Sequence, residues 1–309
     1  MPLPSSGTLG FNTIAASLPL YGTFNPYSLK KMAIITGVGG SWDAYGNWNN
    51  NEPYKVSEFY GYAGNGFKYG SPQILLDYAL SGFYSSPTSV IKDTSGISIF
   101  DATFVTGTGN GTATNYTGYN SNIGTFNTNT TGQYAIRLPN YAKFSGNEAH
   151  TLICWFKVTD FSTSFPGLIS CEGRSAGGQP IGYSLYLSQI SATTFSLNYS
   201  RFSGTSGTQY NLNLALGSAP LTTNTWYMAA VTYDGSNIVL YLRYSDNTYA
   251  YTTGTNTYSI VADASWGCFQ GLRYNNWLNG TFGYTAIYYG VLNVLDIFKI
   301  QQATRQRYV

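Results

Sequence analysis

Charge is what this chain has least of. Only 9% of its residues are Asp, Glu, Lys or Arg, against roughly 25% in an average globular domain. A net charge of +2 supplies no clustered basic face, which argues against a nucleic-acid partner. Arg305-Gln306-Arg307 reads as a solvated tail rather than a phosphate-binding stripe. Histidine occurs once, at His150, and cysteine three times, at Cys154, Cys171 and Cys268. No Cys-x-x-Cys pair is present, so zinc and redox motifs are not indicated. The odd count leaves one disulfide open and favours a chain made in a reducing cytosol. Cys154, inside the apolar run 151–158, reads as a small core residue. No apolar run approaches the roughly 18 residues of a membrane span, and Met1–Gly7 lacks the basic and apolar regions of a secretory signal. The expectation is no membrane insertion and no export.

Aromatics, by contrast, make up 17% of the chain, with 29 tyrosines, and there are 35 glycines. Few charges with many aromatics exclude a solvated disordered chain. From residue 72 onwards, short alternating runs are separated by Gly, Asn and Ser turns, which argues for an all-β antiparallel β-sandwich. Expected strands include 151–158, 167–171, 183–187, 194–199, 210–214 and 280–289. Gly107–Thr131, rich in Gly, Thr, Asn and Ser, is expected to form loops and short exposed strands. Trp226–Tyr233 and Ile238–Arg243 alternate on either side of Asp234–Gly235, a strong signal for a hairpin with a tight turn. Apolar residues at helical spacing over Leu292–Gln302 predict a closing helix.

The run Trp226-Tyr-x-Ala-x-Val-Thr-Tyr-Asp-Gly-Ser236, with Ile91–Gly96 before it and Asn279-Gly280-Thr281-Phe282 after it, resembles laminin-G-like domains. Those domains belong to the concanavalin A-like jelly rolls. The resemblance implies a jelly-roll sandwich over 72–309 in a fold used for binding. Residues 1–71 differ in texture, being irregular, punctuated by Pro and Gly, with short amphipathic stretches at Phe11–Leu18 and Tyr27–Ala33. Met1–Gly7 (Met-x-Leu-Pro-Ser-Ser-Gly) and Val56–Tyr62, containing Ser-Glu-Phe-Tyr-Gly, resemble the two ends of a short module of tailed-bacteriophage structural proteins. That resemblance implies an N-terminal arm that attaches the protein to other virion proteins. Leu3, Pro4, Phe11, Ile14, Leu18, Phe59 and Tyr60 would be its contact residues. It also implies a homo-oligomer exposed on the particle surface after assembly in the host cytoplasm, as head fibre, decoration or tail appendage.

Chemistry is sparse. Glycosidases on this fold carry clustered carboxylates on one strand, because residues two and four apart share a face. No two of the 13 carboxylates here lie two or four residues apart, so no catalytic residue is assigned. His150 lacks a Gly-x-Ser-x-Gly partner and reads as a surface or capping residue. No cofactor is expected. Calcium bound by Asp101, Asp246 or Asp263 in inter-strand loops is the single metal alternative. Sugars stack on aromatic rings while amides and guanidinium groups hold their hydroxyls. Arg273, Tyr274, Asn276 and Trp277 concentrate those groups between two strands, with Tyr249, Tyr251 and Arg174 as weaker candidates. They make a host-surface polysaccharide the expected ligand. A cement protein with no glycan, or a polysaccharide depolymerase, are the alternatives.

Overall fold

The computed structural model describes residues 40–42, 48–50, 74–76, 90–91, 101–106, 111–112, 118–120, 125–128, 134–138, 142–160, 164–175, 177–191, 195–204, 209–214, 221–244, 248–260, 267–273 and 276–308. The chain divides into two compact units, 72–291 with 307–309 and 1–71 with 292–306. The seven residues assigned to virion attachment (Leu3, Pro4, Phe11, Ile14, Leu18, Phe59 and Tyr60) lie outside the described residues.

In chain order the strands are β1 (Gly40–Trp42), β2 (Trp48–Asn50), β3 (Ile74–Leu76), β4 (Val90–Ile91), β5 (Ala102–Thr106), β6 (Gly111–Thr112) and β7 (Tyr119–Asn120). Next come β8 (Thr125–Thr128), β9 (Ala135–Leu138), β10 (His150–Asp160), β11 (Gly167–Arg174), β12 (Pro180–Gln189), β13 (Phe195–Ser203) and β14 (Gln209–Leu214). The last are β15 (Trp226–Tyr233), β16 (Asn237–Tyr244), β17 (Tyr249–Thr255), β18 (Cys268–Gln270), β19 (Leu272–Arg273), β20 (Asn276–Trp277) and β21 (Asn279–Tyr289). Among the described residues one helix follows, α1 (Val294–Arg305), whose N-cap Asn293 accepts from the Asp296 N–H. It begins two residues later and ends three residues later than the spacing predicts.

Among the described residues all strand pairing is antiparallel, as expected. Among the described residues, an eight-stranded sheet runs β17-β16-β15-β10-β21-β8-β7 with β3 beside β21. A nine-stranded sheet runs β14-β13-β12-β11-β18-β9-β5-β4 with β6 beside β5. Their facing sides interdigitate one core. Leu152, Cys154 and Phe156 of β10 meet Tyr183, Leu185 and Leu187 of β12, with Leu197 and Tyr199 of β13 beside them. Cys154 is fully buried, as its setting predicts. The outer side of β10 is also buried at Trp155, whose ring lies 4.9 Å from Tyr308, and Tyr308 lies 4.7 Å from Trp226. Gly283 admits that ring, because a Cβ there would stand 2.5 Å from the Tyr308 ring atoms.

The β15–β16 hairpin forms at the predicted place, but its turn is wider than an Asp-Gly pair. Tyr233 pairs with Ile238, leaving 234–237 to close the loop. Asp234 organises it by accepting from the backbone N–H groups of Ser236 (2.8 Å) and Asn237 (2.6 Å) and from the Asn237 amide (2.8 Å). These bonds hold its carboxyl below the usual range. Gly235 takes φ 101°, which a side chain would strain. Cys171 and Cys268 form a disulfide between β11 and β18. The sequence left one disulfide open, and this pair fills it: the two cysteines are far apart in sequence, yet neighbouring strands of one sheet bring them together.

His150 departs from expectation. It is a fully buried core residue rather than a surface one. Its ring stacks on Phe144 at 4.2 Å, and its two nitrogens bond the Glu148 carbonyl and the Tyr199 hydroxyl, each at 2.8 Å. Nearby, Arg201 is buried with its Cζ 3.7 Å above the Tyr233 ring. It donates to Asn256 Oδ1 (3.1 Å), the Gly146 carbonyl (3.1 Å) and the Tyr258 carbonyl (3.1 Å). Hydrogen bonds to a charged group contribute about 1.5–3 kcal/mol each, enough together to offset the several kcal/mol of burying one cation. The cluster thereby ties the 142–150 and 256–260 loops to β13.

Burial lowers the His150 pKa to about 3, with Arg201 adding to the effect and the Glu148 carbonyl opposing it. The folded protein keeps this ring neutral, whereas the unfolded chain takes up a proton below a pKa of about 6.5. The stability difference between wild type and His150→Gln is therefore constant above that pH. It shrinks as pH falls towards the folded value, by up to about 1.4 kcal/mol per pH unit. Urea denaturation across that window checks this, and a pH-independent difference would contradict it. Reducing the Cys171–Cys268 disulfide, which spans 97 residues, should destabilise the protein by roughly 2–4 kcal/mol. Unchanged melting in dithiothreitol would contradict the pairing.

Candidate functional site

The alternation that sends Tyr183, Leu185 and Leu187 into the core turns Ser184 and Tyr186 to the opposite face of β12. Register then places Ser170 beside Ser184, Asn198 beside Tyr186 and Ser200 beside Ser184. On β14, Asn211 pairs with Ser200 and Asn213 with Asn198. The outer face of the nine-stranded sheet is consequently a field of hydroxyls and amides. These groups bond one another. Ser184 Oγ donates to Ser170 Oγ (2.8 Å), Asn198 Nδ2 to Ser196 Oγ (3.0 Å), and Asn213 Nδ2 to Ser196 Oγ (3.3 Å). Ser200 Oγ reaches both the Tyr186 hydroxyl and the Asn211 amide oxygen, while Gln209 Nε2 donates to Asn211 Oδ1 (2.9 Å).

Arg273, from the short β19–β20 hairpin, joins this field. Its Nε lies 2.9 Å from Glu172 Oε2 and donates to Ser184 Oγ at 3.2 Å. Its guanidinium Cζ sits 4.0 Å over the Tyr186 ring. Gly167 permits this approach, since a Cβ there would meet the Leu272 carbonyl at 2.6 Å and Arg273 Cβ at 2.8 Å. Burial pushes the Glu172 carboxyl up, while Arg273 and then Arg174 pull it down. Removing one partner of such a pair leaves an uncompensated buried charge, at a cost of about 3–5 kcal/mol. Phe165, 43% exposed, meets the Tyr186 ring edge-on at 6.4 Å. Ser170, Glu172, Ser184, Ser196, Asn198 and Ser200 are buried and Tyr186 is 7% exposed. The groups this network offers a hydroxyl-rich ligand are therefore the exposed Gln209, Asn211 and Asn213 of β14, the partly exposed Arg273 and the Phe165 ring. This hydrogen-bonded network contains one carboxylate, whereas glycoside hydrolysis needs two.

Of the residues expected to bind sugar, Arg273 belongs to this network and Asn276 supports it, donating from Nδ2 to the Arg273 carbonyl at 3.4 Å. Trp277 differs from expectation. It is 6% exposed and packs with Val105, Ala135, Phe269 and Leu272 in a small apolar cluster. Its ring anchors the hairpin and offers no open stacking face, because the hairpin folds its apolar residues onto Phe269. Tyr274 lies outside the described residues. Arg174 is exposed and donates to the Gly178 carbonyl (3.3 Å). Tyr249 and Tyr251 are more than half exposed on β17, 6.2 Å apart. Glu172, Ser184, Tyr186, Asn198, Ser200 and Asn211 escaped sequence reasoning. Their signal was the alternation of Ser, Asn and Tyr with Leu along 183–188 and 196–200.

Asp101 is described, whereas Asp246 and Asp263 lie outside the described residues. Among the described residues no three His, Cys, Asp or Glu side chains gather as a metal site. Among them, too, no helix is long and apolar enough to cross a membrane.

No curated protein matches this sequence. Solved structures that resemble it include domain 4 of AbnA, a GH43 extracellular arabinanase from Geobacillus stearothermophilus, in complex with arabinotriose. That domain is 17% identical with a TM-score of 0.48, over 77% of this chain and 98% of that one. The CBM40 of Ruminococcus gnavus IT-sialidase, bound to α2,3 sialyllactose, is 15% identical with a TM-score of 0.40, over 50% of this chain and 83% of that one. The enzymatically active domain of bacteriophage CBA120 tailspike protein 2 is 12% identical with a TM-score of 0.46, over 86% of this chain and 36% of that one. Identities this low assign no function. A family profile, the Concanavalin A-like lectin/glucanases superfamily, matches residues 129–298, more than half of the chain. The protein belongs to the Concanavalin A-like lectin/glucanases superfamily.

Proposed function

We propose that this protein is a non-enzymatic, lectin-like virion protein of a tailed bacteriophage. In this reading residues 72–309 are a sandwich displayed outward that adheres to host-surface polysaccharide. Residues 1–71 dock it, as a homo-oligomer, to other virion proteins. The observation that carries the glycan part is the hydrogen-bonded field around Tyr186 and Arg273. Sugars present closely spaced hydroxyls above weakly apolar ring faces. Ser, Asn and Arg groups held by one another meet those hydroxyls without first losing side-chain freedom, which lowers the entropic cost of binding. A single carboxylate in the network favours binding over cleavage. The virion part rests on Met1–Gly7 and Val56–Tyr62, whose order matches a phage structural module.

The full-length protein should bind selected polysaccharides saturably on a bacterial glycan array. Phe165→Ala, which removes the exposed ring of the network, should weaken that binding roughly tenfold, the scale of one lost aromatic contact. Tyr186→Phe should retain most of it. Silence across the array would favour a cement role, and new reducing ends after incubation with capsule would reveal a depolymerase. In a separate test, antibodies against the chain should label purified particles under the electron microscope. Unlabelled particles from lysates that contain the protein would remove the virion assignment.

A further inference from the structure

A polar cleft of about 460 Å³ lies on the outer face of the other, eight-stranded sheet. Its floor follows from register. Lys157 of β10 pairs with Thr281 of β21, and Thr281 pairs with Asn127 of β8. The neighbouring positions Phe156, Phe282 and Phe126 are core residues, so the three polar side chains share the opposite face. At a strand spacing of roughly 4.8 Å the row is about 10 Å long, the scale of a short oligosaccharide rather than of a protein surface. Thr159, Asn224 and Asn279 complete the walls.

The lining is held in place. Thr281 Oγ1 donates to Asn127 Oδ1 at 2.8 Å, which orients the amide. Asn279 Nδ2 donates to the carboxylate of Asp160 at the exposed end of β10. Asn224, at φ 60°, is the one non-glycine among the described residues in the left-handed region, and its N–H donates to the Val158 carbonyl at 2.7 Å. Asparagine accepts that conformation more readily than most residues. The Lys157 ammonium stands 5.3 Å from the Trp226 ring centre, so its stem is guided across the sheet.

The chemistry of these groups selects a ligand. The walls are amides and hydroxyls, more polar than apolar in their exposed surface, which suits a hydroxyl-rich molecule better than a lipid. Among the described residues lining the cleft, Lys157 is the charged one, and it is a cation. A neutral sugar would leave that charge unused, whereas a sugar carboxylate would accept a charge-assisted hydrogen bond from it. We infer that this cleft is a second saccharide site, specific for carboxylate-bearing sugars, with Lys157 reading the carboxylate and Thr281, Asn127 and Asn224 reading hydroxyls. It uses none of the residues around Tyr186, so the two sites stand or fall separately.

Calorimetric titration of the full-length protein with oligogalacturonate, oligomannuronate and oligosialic acid tests this, with a neutral gluco-oligosaccharide of equal length beside them. At least one acidic oligomer should bind, and more tightly than the neutral one, with affinity that weakens as salt is added. Lys157→Met should reduce that affinity roughly tenfold, the size of one lost charge-assisted bond. Lys157→Arg should keep most of it. Failure of all three acidic oligomers to bind, or equal affinity for the neutral one, would overturn the assignment. So would wild-type affinity in Lys157→Met. Should that variant melt early, a salt-independent affinity in the wild type would be equally decisive against the site.

Discussion

In a paired antiparallel strand, side chains must alternate between two faces, and in this sandwich one face of every long strand is committed to the core. That constraint organises the molecule. Along β12 it places Tyr183, Leu185 and Leu187 inside, and in doing so it obliges Ser184 and Tyr186 to stand outside. A one-residue slip in register would exchange the two sets, turning hydroxyls into the apolar core and leucines out of it. The apolar core therefore positions the polar field with the accuracy of the backbone ladder, and no separate device is needed to align Ser170, Ser184 and Ser200 in a row across three strands.

The two buried polar clusters are of different kinds. Arg201 and His150 lie within the core, where their partners are mainly backbone carbonyls, rings and amides. They fasten loops, and their burial withholds them from solvent chemistry. Arg273 and Glu172 lie on the outer face with hydroxyl neighbours. There the ion pair fixes the guanidinium above Tyr186, and the buried hydroxyls and amides beneath it hold the exposed amides of β14 in place. The low charge content of the chain fits this plan: hydroxyls and amides form networks that accept sugar hydroxyls at a small desolvation cost, whereas scattered charges would not.

Much of the fold was legible because core-facing residues on both sides of a turn are strongly apolar. The β15–β16 hairpin and the 151–158 strand carry that signal plainly. Strands that face outward with Ser, Asn and Thr read as shorter than they are: β12 extends to Pro180 and Gln189, beyond the expected 183–187. β17, with Tyr249, Tyr251, Thr253 and Thr255 exposed, has little apolar pattern to find. The candidate site was harder still. Arg273 stood out as a rare charge beside aromatics, but Glu172, Tyr186 and Asn198 lie on three consecutive strands far from it in sequence, and register alone gathers them on one face. Trp277 attracted attention by its type, yet a large apolar ring in a two-residue strand is more useful as an anchor than as a platform. His150 was misjudged, and the Cys171–Cys268 pairing left open, for the same reason, since burial and strand adjacency are properties of the assembled sheets.

The central claim is that the outer face of β11–β14 is a saccharide-binding surface. A crystal structure of the full-length protein with a bound oligosaccharide addresses it most directly. The account predicts a sugar ring against the exposed Phe165, with its hydroxyls on Arg273 and the exposed β14 amides. Sugar density confined to the loops at the sandwich ends, with that face bare, would contradict it.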